Sequence, residues 1–176
     1  MPGPADFCVS ETLRTGLAVT VRALKPGDRE KVERAVRELD RESIYTRLFT
    51  YRTQLTEAGL ERIMRFDPDT EVVLLVTIGQ GVLETVIGSG RYVVLPAEGS
   101  VRSAEIAFVV EEDYHGQGIA GRLLRHLAAV ARAQGIARFE ATVLPKNKAM
   151  LAVFERSGLP MEKRIADGEV HVALAL

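Results

Sequence analysis

Residues 104–124 read AEIAFVVEEDYHGQGIAGRLL. An alternating apolar stretch runs into an acidic turn, then three glycines, then an apolar run that carries arginine. The alternation marks a strand over 100–110. The later run marks a helix that continues to about Gln134 and stops at Gly135. Gly116, Gly118 and Gly121 therefore stand at a strand–loop–helix junction. Glycine permits positive φ and lets a ligand approach the main chain. The first N–H groups of a helix lack internal partners and carry the positive end of its dipole. Together these features suit an anion, most often a phosphate, so the junction points to a phosphorylated cofactor.

Working outward, ARFEATVL (137–144) is a strand, and the strand–helix–strand unit implies a parallel pair with a right-handed crossover. Upstream, LAVTVRAL (17–24) alternates as a strand. Pro26-Gly27-Asp28 then opens a helix through Asp40 with Val32, Ala35, Val36 and Leu39 on one face. A short helix over 43–50 starts at Ser43 as cap. Another runs from Thr56 to Arg65 with Leu60, Ile63 and Met64 inward. EVVLLVTIG (71–79) is a buried strand, and a Gly79-Gln80-Gly81 turn leads into a long strand over 82–95. Asn147 to Ser157 is a helix closed by Gly158. MEKRIA and EVHVALAL flank Asp167-Gly168, a hairpin signal. The expected class is α/β (α+β): a mixed central sheet of about seven strands flanked by helices, with a C-terminal β-hairpin. Residues 1–16 read as a partly loose tail and 17–176 as a single domain.

Composition bounds the function. The chain has 176 residues, 47% hydrophobic and 27% charged, with a formal net charge of −1. That balance creates no global field for nucleic acid or a membrane surface. Cys8 is the single cysteine, which excludes an internal disulfide and a multi-cysteine zinc site. His126 and His171 lack ligand-like spacing and read as structural, so no metal is expected. No apolar run approaches a membrane span, and the N-terminus lacks the pattern of a secretory leader. The expected location is the cytoplasm. Sequence leaves monomer and homodimer both open.

Gly116-Gln117-Gly118-Ile119-Ala120-Gly121 matches GxGxxG literally, yet a dinucleotide fold needs more. EEDYH separates the strand from the first glycine. Glu140, at the spacing of a ribose-binding acid, sits mid-strand, and only one strand–helix–strand unit is available. A P-loop is excluded because no Gly-Lys-Ser/Thr follows.

The sequence instead resembles the GNAT acetyltransferase superfamily. Its Arg/Gln-x-x-Gly-x-Gly/Ala signature corresponds to His115-Gly116-Gln117-Gly118-Ile119-Ala120, with His115 replacing the usual first residue. Asn147, in VLPKNKAMLAVFERSGL, resembles the family's asparagine after the fifth strand. ESIYTRLF, LTEAGLERI, FDPDTEVVLLV and the opening stretch are similar to the Pat-type bacterial protein lysine acetyltransferases.

The resemblance implies acetyl-CoA as cosubstrate. It implies a pyrophosphate held by N–H groups of the 115–121 loop, with His115, Gly116, Gln117, Gly118, Ile119, Ala120, Gly121 and Arg122 around it; Arg125 could add charge. It implies a pantetheine arm laid along Ala107, Phe108, Val109 and Val110, with Asn147 as a further cofactor contact. A backbone N–H near Val109 would receive the thioester oxygen. Glu105 corresponds to the catalytic base, and Tyr45, Arg47 and Phe49 to the acceptor side. Phe154 occupies the position of an often-seen tyrosine acid. The partner is an amine acceptor, a protein lysine by this likeness. A small amine (a polyamine or an aminoglycoside) and a non-catalytic acyl-CoA-binding module stay open as alternatives.

Overall fold

The computed structural model describes residues 3–38 and 57–176. The expected helix over 43–50, its cap Ser43, Leu39 and Thr56 lie outside the described residues. Eight strands form one sheet: β1 (Cys8–Thr12), β2 (Ala18–Ala23), β3 (Glu71–Ile78), β4 (Thr85–Val94), β5 (Ser103–Val110), β6 (Arg138–Val143), β7 (Met161–Ala166) and β8 (Glu169–Ala175). Their order is β1-β2-β3-β4-β5-β6-β8-β7. The described helices are α1 (Arg29–Glu38), α2 (Glu57–Met64), α3 (Ile119–Ala133) and α4 (Lys148–Glu155). β5 and β6 pair in parallel as expected. Asp167 and Gly168 turn the β7–β8 hairpin with φ of 54° and 76°, the backbone of a two-residue hairpin turn.

Two readings change. The segment expected as a partly loose tail contains β1, which pairs with β2 from Cys8↔Arg22 to Thr12↔Ala18, so among the described residues the sheet has eight strands rather than about seven. CVSET is too polar to announce itself, because an edge strand needs only one neighbour and little burial. The long strand expected from residue 82 begins at Thr85; Gly81–Leu83 form a 3-10 turn that leaves Val82 and Leu83 exposed.

Alternation divides the sheet into two faces. Ala104, Ile106, Phe108 and Val110 of β5 join one core with Ile119, Leu123, Leu124 and Leu127 of α3 and Met150 and Phe154 of α4. Full burial of each large apolar side chain contributes roughly 1.5–3 kcal/mol. The opposite face carries a smaller core of Leu24, Val32, Leu60, Val73, Leu75 and Val86, beneath α1 and α2. Glu105, Ala107 and Val109 point to that second face.

α3 comes close to the sheet because β4 has a glycine beneath it. A Cβ built at Gly90 would lie 2.9 Å from Phe108 Cδ1 and 3.0 Å from Leu127 Cδ1. Both neighbours are buried, so neither yields easily. Gly90→Ala is expected to cost about 1–3 kcal/mol, read as a lower urea midpoint with an unchanged slope.

Candidate active site

The loop after β5 is shaped by its own backbone demands. Glu112–Tyr114 form a 3-10 turn, and His115 Nε2 lies 2.7 Å from the Val110 carbonyl oxygen, which folds the loop back on the strand end. Gly118 is the N-cap of α3, with φ 83° and no side chain capping the helix. A Cβ there would lie 2.9 Å from Arg122 Nη1. Glycine at 118 is thus favoured by its left-handed conformation, while the Arg122 guanidinium, at the end of a flexible side chain, could move aside. The uncapped first turn of a fifteen-residue helix presents N–H groups and positive dipole to whatever lies in front of it.

In front of it is a groove of about 670 Å³, within the usual size of small-molecule sites. One wall is a helical stripe on α3 of Gly121, Arg125, Ala128 and Arg132. The other is a stripe on α4 of Ala149, Ala152, Val153 and Arg156. The sheet opens beside the groove. β5 and β6 pair only at Ser103↔Arg138, Ala104↔Phe139 and Glu105↔Glu140, although both strands run on. Beyond Glu105 the two strands are no longer paired, so the β6-facing edge of β5 can take an extended ligand as an added strand.

The residues singled out from sequence are only partly brought together. Val110, His115, Gly116, Gly118, Ile119, Ala120, Gly121 and Arg122 line the groove. Phe108 does not; it is buried with its ring centroid 6.3 Å from that of Phe154. Phe154 is a core residue with no proton to give. Val109 faces the other side, lining a mainly apolar cavity of about 100 Å³ together with Ser89 and Glu111. Gln117 Oε1 receives a hydrogen bond from Thr15 Oγ1 at 3.0 Å. Asn147 is buried and accepts the Met150 N–H at 3.2 Å as the N-cap of α4, so its carbonyl oxygen shapes the groove's second wall. Tyr45, Arg47 and Phe49 lie outside the described residues.

Arg122 lines the groove and is also held by the fold: its Nε lies 2.9 Å from Glu11 Oε2 and its Nη2 donates to the Thr12 carbonyl at 2.9 Å. Glu11 also meets Arg125 Nη2 at 2.7 Å and His126 Nε2 at 2.6 Å. Burial of Glu11 opposes its ionisation. The His126 hydrogen bond and the nearby charges of His126, Arg125 and Arg122 outweigh this and hold the carboxyl below its ordinary range. Glu11 thus binds the edge strand to α3 and draws on the charge of both arginines.

Glu105 stands at the last β5–β6 pair, half-buried on the second face. Among the described residues no hydrogen bond or ion pair holds its carboxylate. Desolvation raises its pKa; the charge of Arg91 opposes the rise and that of Glu140 adds to it. An unpartnered carboxylate with a raised pKa, at the point where two strands part, has the chemistry a general base needs. Glu105 lines neither cavity directly. Glu111, in the acidic turn after β5, lines the smaller one, and burial raises its pKa too.

Sequence reasoning overlooked the α4 wall and Arg14, which lines the groove mouth. The wall had a signal: Ala149, Ala152, Val153 and Arg156 recur at helical spacing, as do Gly121, Arg125, Ala128 and Arg132.

Comparison with known proteins matches these features. A sequence model of the Acetyltransferase (GNAT) family matches residues 34–159. Acetyltransferase Pat of Mycolicibacterium smegmatis is 35% identical over 147 residues, covering 83% of this chain and 42% of its own length. The chain therefore spans about two fifths of that relative. Acetyltransferase PA5475 of Pseudomonas aeruginosa is 29% identical over 143 residues, 80% of this chain and 74% of its own. The crystal structure of the GNAT domain of S. lividans PAT superposes with a TM-score of 0.84 at 33% identity, covering 96% of this chain and 97% of that one.

Proposed function

The chain belongs to the GNAT acetyltransferase family, and from that premise we propose that it transfers an acetyl group from acetyl-CoA to the side-chain amine of a protein lysine. The observation that carries the reading is the uncapped, glycine-entered N-terminus of α3 opening onto the groove where β5 and β6 part. These residues fit the cosubstrate. The loop and the first turn of α3 offer N–H groups for a pyrophosphate, and the free edge of β5 offers a strand partner for an amide-bearing arm. The likeness to Pat-type sequences supports lysine as the acceptor.

Acetyl-CoA supplies a thioester whose thiol, of ordinary pKa near 8.5, is a fair leaving group. A lysine amine has a reference pKa near 10.4, so at neutral pH only about one in a few thousand is uncharged. Glu105 takes the proton, directly or through one water, as the nitrogen–carbon bond forms. A backbone N–H near Val109, on the β6-facing edge of β5, stabilises the charge that develops on the carbonyl oxygen. The carbon–sulfur bond then breaks and the thiolate takes a proton from water, since Phe154 has none to give. Cys8 is exposed on β1, away from the α3–α4 groove, so attack is direct rather than through an acyl-enzyme.

Calorimetry with acetyl-CoA and with NADH, followed by an acetyl-transfer assay on lysine peptides and on spermidine, tests this reading. Binding of acetyl-CoA alone, with transfer to the peptide, is the expected result. Transfer only to spermidine would reassign the acceptor to a small amine. Binding without any transfer would make the chain an acyl-CoA-binding module, and binding of NADH alone would overturn the cofactor.

A further inference from the structure

The chain's N-terminal turn adds a residue to the groove. Leu13 is buried and anchors the turn: its N–H donates to the Leu17 carbonyl at 2.8 Å and its carbonyl accepts the Gly16 N–H at 2.9 Å. That turn lies against the glycine loop through Thr15 and Gln117 and through the Thr12 carbonyl and Arg122. Arg14 sits on its outer corner. A Cβ built at Gly118 would be 3.7 Å from Arg14 Nε and 3.8 Å from its Nη2, so the guanidinium lies over the bare backbone at the start of α3. Arg14 lines the groove and is exposed, and among the described residues no hydrogen bond or ion pair occupies it.

The three nearest cations differ in what they already hold. Arg122 and Arg125 share the single carboxylate of Glu11, which offsets part of their charge and occupies some of their donors. Arg14 keeps its full charge and its fork of donors at the point where the helix dipole also favours an anion. A planar guanidinium beside backbone N–H groups matches a pyrophosphate, which presents several oxygens in different directions. From this we propose that Arg14 binds the pyrophosphate of the cosubstrate, and that β1 and the Glu11 cluster serve to hold the 13–17 turn where Arg14 can reach it. The assignment rests on the acetyl-CoA reading of the groove.

The test is calorimetric titration of acetyl-CoA into the full chain and into Arg14→Gln and Arg14→Lys, each at low and at high salt, with melting temperatures measured alongside. A charge-assisted hydrogen bond at an exposed site is worth about tenfold in affinity. Arg14→Gln is therefore expected to bind about tenfold more weakly at low salt, with the gap narrowing at high salt as screening sets in. Arg14→Lys should fall between the two, and all three melting temperatures should agree, because Arg14 holds no partner in the fold. Equal affinity of Arg14→Gln and the parent overturns the proposal. So does a loss that is insensitive to salt or that comes with a lower melting temperature, since either would mark a structural role. If the parent itself binds no acetyl-CoA, the cofactor reading fails first and the Arg14 assignment falls with it.

Discussion

Glu105→Gln is expected to lower kcat for acetyl transfer by about 10²–10⁴-fold, the range for loss of a positioned general base, while acetyl-CoA affinity stays nearly unchanged. Two further readouts separate this from a general defect. In the parent, turnover should rise with pH through the titration of a carboxylate whose pKa burial has raised, and that limb should vanish in the variant. Stability should move the other way. The folded chain binds the Glu105 proton more tightly than the unfolded chain does, so ionisation destabilises the fold as pH rises from the ordinary carboxylate range through the raised folded value. That penalty is fully present at neutral pH and absent in acid. Glu105→Gln should therefore melt no lower than the parent at pH 7, with any advantage fading on acidification. Glu111→Gln is the companion variant, because Glu111 lines the cavity beside Val109. If it loses turnover while Glu105→Gln keeps it, the base is Glu111.

The second large effect is on the fold. Arg22 of β2 is buried, with Nη1 2.8 Å from Asp28 Oδ2, Nη2 2.7 Å from Asp28 Oδ1 and Nε 2.8 Å from Glu84 Oε1. Lys31 Nζ lies 2.6 Å from Glu84 Oε2. These contacts join β2, the entry to α1 and the residue before β4, and so pin α1 over the second core. Removing one partner of a buried ionic cluster costs about 3–5 kcal/mol because the remaining charges stay desolvated. For a chain of this length Arg22→Ala should lower the melting temperature by roughly 6–20 °C. The effect should depend on pH. Hydrogen bonding to Arg22, against some desolvation, depresses the Glu84 pKa from 4.5 to about 2. Asp28 is also lowered: its burial is outweighed by the Arg22 and Lys25 hydrogen bonds and by nearby charge. Depressed carboxylates stabilise above their unfolded pKa values and lose that contribution as pH falls toward the folded ones. The gap between parent and variant should therefore be widest near neutrality and shrink between about pH 4.5 and 2. A gap of constant size across that range would mean that Arg22 acts through packing alone.

Much of the site could be read directly from residue order. The period of two in AEIAFVV is enough to set Glu105 and Val109 on one face of the strand and Ile106 and Phe108 on the other. The glycines implied a helix entered through a left-handed residue, and Gly118 is that residue. Asp167-Gly168 implied a hairpin. Each of these is a local rule: a period of two, a sterically demanding φ, a turn that only a few residue types tolerate. Asn147 was legible as a helix start, and the structure shows its carbonyl oxygen spent on capping.

What residue order could not convey was the choice of partner. Glu11 meets Arg125 across 114 positions of chain, and no local pattern in CVSET or GRLLRHL selects that contact over any other. It follows from the register of β1 on β2, which brings the edge strand beside α3, and from the need of a largely buried carboxylate for cations. The same docking decides that Arg122 is held by the fold while Arg14, from a segment without evident periodicity, stands free at the groove. Likewise, sequence alone marks Glu105 as a carboxylate on a strand. Only the packed sheet, with α1 and α2 over its second face and β6 pairing as far as Glu140, removes enough water to raise its pKa. Strand faces, turns and the glycine entry are properties of short segments and belong to the sequence. Ion-pair allegiance and desolvation depend on which segments meet, and tertiary structure alone decides that.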